Sequence, residues 1–179
     1  MSAPRQILLI GQLGFLLFLA VCIGLIPRGL SANDGICYYG TQNQTLIPFA
    51  LSIGSIIVSS FVFGKRIWHE RSLRPIAYVY FLLPVLLLAV TITPYDYSKT
   101  FHFIHVAVTI LIFVVQMLLA IWILVARRWD SINIALLLLM AIEGLVSLYY
   151  VGPAHGLLLQ AETAFQVTFA GLVYKNLQL

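Results

Sequence analysis

Apolar runs separated by short polar stretches set the pattern of this chain. Six such runs stand out, at about 7–26, 46–63, 76–93, 103–126, 132–151 and 157–174. A helix needs about 20 predominantly apolar residues to cross a hydrocarbon core of roughly 30 Å. Each run meets or approaches that length, the second, third and sixth being the shortest. The segments between them are short and polar, and neither a repeat of fixed period nor a low-complexity stretch interrupts the series. The pattern therefore predicts an all-α, polytopic fold, a single transmembrane domain over 1–179 built as a compact six-helix bundle. The first run exceeds the usual 7–15 residue core of a secretory signal, so it is read as a spanning helix.

Composition sharpens this. The 179 residues are 61% hydrophobic and 9% charged, against about 45–50% and about 25% in soluble domains. So few charges cannot clothe a water-soluble fold, which excludes a cytosolic enzyme. The net charge of +4 does not indicate nucleic acid, because the basic residues border the apolar runs instead of forming a patch. They serve better as topology signals. With the N-terminus inside, Arg5, Lys65, Arg66, Arg71, Arg74, Arg127, Arg128 and Lys175 lie on the cytoplasmic side, and only Arg28 and Lys99 lie outside. The expectation is that both termini are cytoplasmic, in a membrane whose identity the chain does not reveal. Tyr38, Tyr39, Tyr95, Tyr97, Tyr149 and Tyr150 then fall at the outer boundary, as an interfacial aromatic belt. The basic stretch from Lys65 to Arg71, with Trp68 as an anchor, lies at the inner one.

Polar residues inside the runs carry the candidate chemistry, since ionisable groups at membrane depth are costly. Two acids lie there, Glu143 and Glu162, and no Lys or Arg shares their depth. Residues three, four or seven apart share a helix face. His102, His105, Thr109 and Gln116 thus form one stripe on the fourth helix. Glu143, Ser147 and Tyr150 form a second on the fifth, and His155, Glu162 and Gln166 a third on the sixth. Polar stripes are costly against lipid, so the three are expected to converge on an outward-facing polar pocket among helices four to six. Its ligand-binding or proton-linked residues are His102, His105, Gln116, Glu143, Tyr150, His155, Glu162 and Gln166. Plain helix-to-helix hydrogen bonding is the competing reading.

A metal is the further alternative. His102-x-x-His105 with His155 could hold zinc through three protein ligands, with Glu162 as a general base, and His105 facing His155 could hold haem. No HExxH motif is present, and no cofactor is expected. Ser52, Ser55 and Ser59 on the second helix, and Gly11 and Gly14 on the first, read as close-packing positions. Pro84 should kink the third helix. Cys22 and Cys37 read as two separate thiols, a bridge being the alternative. Asn43-Gln44-Thr45 matches a glycosylation sequon too close to the second helix for ready access.

The layout also resembles the six-helix family of damage-regulated autophagy modulators and its relatives in lipid and GPI-anchor handling. The stretches that carry the resemblance are Ser31-Ala32-Asn33-Asp34-Gly35, His102-Phe103-Ile104-His105-Val106-Ala107 with Phe113 and Gln116, and Ala161-Glu162 with Phe165 and Phe169. The resemblance implies a membrane-organising or lipid-linked role and carries over no catalytic residue. Four functions follow as expectations. The first is the binding of a lipid-like or small amphipathic ligand, with membrane lipids as partners. The others are a proton-coupled small transporter, a metal-dependent intramembrane lipid hydrolase, and a non-catalytic subunit or scaffold that associates with itself or a partner.

Overall fold

The computed structural model describes residues 2–32, 35–126, 129–150 and 156–177. Six long helices follow one another: α1 (Ala3–Leu25), α2 (Leu46–Ile67), α3 (Arg74–Ile92), α4 (Lys99–Ala126), α5 (Ser131–Tyr150) and α6 (Leu158–Asn176). The described residues contain no strand. Each helix begins and ends within about four residues of its expected apolar run. Pro4 and Pro75 stand in the first turns of α1 and α3, where a missing N–H costs nothing because no intrahelical acceptor exists there. Pro84 lies inside α3, which runs unbroken through it.

Among the described residues five helices, α1 to α5, are long and apolar enough to cross a membrane. Their outward faces carry exposed aliphatic side chains, such as Ile10 and Leu17 on α1 and Leu138 and Leu145 on α5. α6 differs. It bears Gln160, Glu162, Thr163, Gln166 and Thr168, yet most of its length is covered, and it packs against α1, α4 and α5. Among the described helices it has the largest share of buried residues, although Gln160 in its first turn is exposed.

Consecutive helices pack as antiparallel neighbours. The tightest seam joins α1 to α2. A side chain at Gly11 would collide with Ser59, and one at Gly14 would press on Ser55. The Ser52 hydroxyl donates to the Phe15 carbonyl at 2.9 Å. Small residues let these backbones approach, as the sequence suggested.

The bundle has two unlike ends. The end carrying both termini is filled by a large cluster that includes Phe63, Ile76, Tyr80, Ile123, Met140, Phe169 and Leu172. The opposite, loop end holds a smaller cluster around Phe15, Cys22, Tyr39, Phe49 and Ile56. Two 3-10 turns, Pro27–Ser31 and Gly35–Thr41, fold over it. Tyr39, expected in an interfacial belt, is instead fully buried. Its carbonyl accepts a 2.7 Å bond from Thr45 Oγ1, and its ring fills the space left by Gly29. Trp68, the expected anchor at the inner boundary, is half-buried, edge-on to Tyr78 and Phe81 and with the Arg74 guanidinium 6.0 Å from its ring. Cys22 and Cys37 form no disulfide.

Candidate functional site

The eight residues expected to share one pocket are divided among several places. His105 is buried, and its Nδ1 lies 2.8 Å from the Thr93 carbonyl. That carbonyl lies just beyond the end of α3, where helical carbonyls lack intrahelical donors. His105 therefore fastens α4 to α3, with Tyr95 edge-on to its ring. His102, one turn earlier, is exposed. The two histidines stand in different surroundings despite their spacing. Tyr150 is half-buried at the end of α5, edge-on to Tyr149. His155 lies outside the described residues, as do Asn33, Asp34, Arg127 and Arg128. Among the described residues, no group of three His, Cys, Asp or Glu side chains could hold a metal ion.

Glu143 joins α5 to α6. Its Oε1 accepts a 3.1 Å bond from Thr168 Oγ1, while Oε2 is buried with no hydrogen-bond partner among the described residues. Ser147 is occupied by the Glu143 backbone carbonyl at 2.9 Å. Buried polar atoms left unpaired are uncommon and costly, which sets Glu143 apart from the other polar residues of the α5–α6 seam.

The remaining three, Gln116, Glu162 and Gln166, line a common cavity of about 100 Å³ in the loop-end half. Its walls are mostly apolar. α1 contributes Phe15, and α2 contributes Phe49, Ile53 and Ile56. Leu87, Val90 and Thr91 come from α3, and Thr109, Ile112 and Phe113 from α4. Phe165 of α6 completes the wall, with its ring centroid 4.4 Å from that of Phe113. Ile36 and Cys37 of the loop reach it from above. The cavity thus lies among α1 to α4 and α6, under the loop. The expected grouping of helices four to six included α5, whose residues do not line it.

Two polar devices frame this cavity. Gln116 Nε2 donates to Gln166 Oε1 at 2.9 Å, tying α4 to α6. Toward the described residues each amide keeps one unused group: an acceptor on Gln116 and a donor on Gln166. Glu162 Oε2 accepts a 2.9 Å bond from the Ile36 backbone N–H. The chain meets that carboxylate because Gly35 adopts φ +56, a left-handed conformation that glycine alone takes without cost. A side chain at Gly35 would also collide with Glu162. Gln160 Nε2 adds a second tether, donating to the Leu30 carbonyl at 3.0 Å. The loop is thereby latched to the start of α6.

At the opposite end, Asp130, Asn133, Lys175 and Asn176 form a clasp that sequence reasoning did not single out. Lys175 Nζ lies 2.6 Å from Asp130 Oδ2 and 3.0 Å from Asn133 Oδ1. Asn133 and Asn176 exchange reciprocal amide bonds of 3.2 and 3.0 Å. Asp130 also caps α5, accepting from the Asn133 N–H. The Lys175 ammonium and that N–H hold the Asp130 carboxyl below its ordinary range. The signal available was Asp130 before Ser131, an acidic residue at a helix start.

Comparison with known proteins returns no matching family model, no matching characterised protein and no matching solved structure.

Proposed function

We propose that this chain is an integral membrane protein whose loop-end cavity holds the apolar part of a lipid-like or small amphipathic ligand. The observation that carries the reading is an aromatic and aliphatic cavity with unused amide groups at one side and a carboxylate at the other. Apolar pockets with a few convergent polar groups are the usual form of a small-molecule site. Size bounds the occupant. A cavity of about 150 Å³ with Leu, Ile and Phe walls takes up benzene, so one of about 100 Å³ suits a chain segment or small headgroup. The remainder of a longer ligand would extend into the bilayer. No enzymatic step is part of this reading.

The test is a filling substitution. In maltoside micelles, decanol should raise the melting temperature of the wild-type protein. Ile112→Trp should abolish that shift while leaving the unliganded protein folded. An equal shift in both proteins would refute the site.

The topology belongs to the same proposal: six spans, with both termini in the cytoplasm. α6 has 19 residues, about 28 Å at 1.5 Å per residue; Thr168 is buried, Glu162, Thr163 and Gln166 are half-buried, and the exposed Gln160 lies in its first turn. The basic residues at the terminal end fit the inside assignment. Single cysteines at Ser2 and Asn43, in a protein lacking Cys22 and Cys37, test this. An impermeant maleimide applied to intact cells should label position 43 and spare position 2. The opposite pattern would reverse the orientation.

A second reading, a proton-coupled carrier, draws on the unpartnered oxygen of Glu143. Flux in liposomes that disappears in Glu143→Gln would favour it over a binding role.

A further inference from the structure

The cavity contains a chemical imbalance. Glu162 lines it, and only Oε2 of its carboxylate is used, by the Ile36 N–H; Oε1 accepts no hydrogen bond from a described residue. Among the described residues the single salt bridge is Lys175–Asp130, at the far end of the bundle. Glu162 therefore presents an acidic group to a mostly apolar space, with no Lys or Arg of the described residues paired to it.

Four aromatic rings share that space: Phe15, Phe49, Phe113 and Phe165. Aromatic faces attract cations through their negative quadrupoles, and desolvated sites strengthen the attraction. A hard metal ion is a poor match, because calcium takes six to eight oxygen ligands and magnesium an octahedron of them. The Glu162 carboxylate, the Gln116 amide oxygen and two threonine hydroxyls already bonded to helix carbonyls fall short of either set. A weakly hydrated ammonium with an alkyl chain requires only a counter-charge and aromatic surface.

We propose that the ligand of this cavity is a lipophilic amine, whose ammonium pairs with Glu162 and packs against the phenylalanine rings. The inference rests on the cavity reading above and adds the charge of the ligand. Position supports it as well. Glu162 is the fifth residue of α6, close to the loop end, so an amine entering from that interface meets the carboxylate before the deeper Gln116–Gln166 pair. The loop contact at Ile36 sets how closely the head can approach.

The experiment is a charge series at constant chain length: decylammonium, decanol and decanoate, each titrated calorimetrically into the full chain in maltoside. Wild type should bind decylammonium at least tenfold more tightly than decanol, and decanoate least tightly. Glu162→Gln should bring decylammonium and decanol within about threefold of each other. The wild-type series is decisive alone should that variant fail to fold. Equal affinity for decylammonium and decanol, with both blocked in Ile112→Trp, overturns the amine inference and leaves the cavity reading standing. Binding of none of the three overturns both.

Discussion

The terminal end and the loop end of this bundle use the same helices in different ways. At the terminal end, Phe63, Tyr80, Phe169 and Leu172 fill the space between helices. Beside them, Asp130, Asn133, Lys175 and Asn176 satisfy one another's polar groups across α5 and α6. At the loop end, aromatic side chains surround an opening, and polar groups are left partly unused. A packed core gives stability and little else, because dense interiors have no room for a guest. The loop end gives up some packing and keeps a space of about 100 Å³, the site proposed for a ligand. The two ends are joined by α6, whose Glu162 serves the cavity and whose Lys175 serves the clasp.

The largest effect should come from breaking the dense end. Phe169→Ala leaves a cavity near Tyr80, whose ring stacks on Phe169 at 6.0 Å. The loss should be about 2–3 kcal/mol from the roughly 24 cal/mol per Å³ cavity term, because lipid tails are as apolar as the core and transfer adds little. Reversible unfolding in mixed micelles measures it. Phe113→Ala, which enlarges an existing space, should cost clearly less; equal losses would erase the distinction between the ends.

Overpacking sharpens the same contrast. Ala120 is fully buried at the dense end, and Ala120→Leu should cost about 1–3 kcal/mol. Ile112→Phe, directed into the cavity, should be close to neutral in the same unfolding assay. Gly35→Ala should act locally. The left-handed conformation at Gly35 costs about 1–2 kcal/mol for a residue with a Cβ, and the new methyl also displaces Glu162. Hydrogen exchange should rise over Ile36–Tyr39 with the dense end unchanged. Uniform exchange across the bundle would mean that the loop is not a separate latch.

The smallest effect is that of acid on the clasp. Asp130 is held below its ordinary carboxylate range in the folded protein, chiefly by Lys175. Its contribution is therefore present above the unfolded pKa, near about 3.9 for Asp, and fades as pH falls through the lower folded value. Between pH 5 and 8 it should not vary. Lys175→Met should lower the neutral-pH melting temperature slightly and leave the strongly acid one unchanged, so that the acid dependence flattens, as differential scanning can determine.

How much of this was legible in the sequence follows from the forces involved. Bilayer thickness fixes helix length, so the apolar runs revealed all six helices to within a turn. The small residues of α1 and α2 announced their seam, because close approach needs Gly and Ser at helical spacing. Helical spacing also showed which residues share a face, and Gln116 and Gln166 do meet. It did not show which neighbour each face turns toward. Glu143 turns to Thr168 and Glu162 to the backbone of Ile36, a partner 126 positions away in the chain. His102 and His105 fit a shared-face rule but part company where α4 meets the end of α3. Tyr39 is another such case: a tyrosine in a short polar loop looks interfacial until Gly29 supplies the space that buries it.

The central claim is that the loop-end cavity is a saturable site, distinct from the lipid-facing surface. Photolabelling with an alkyl diazirine, followed by peptide mapping by mass spectrometry, tests it most directly. The account predicts adducts on Ile56, Ile112 and Phe113 that excess unlabelled ligand removes and that Ile112→Trp prevents at the remaining two positions. Labelling confined to outward residues such as Ile10, Leu17, Leu138 and Leu145, and undiminished by competitor, would contradict it.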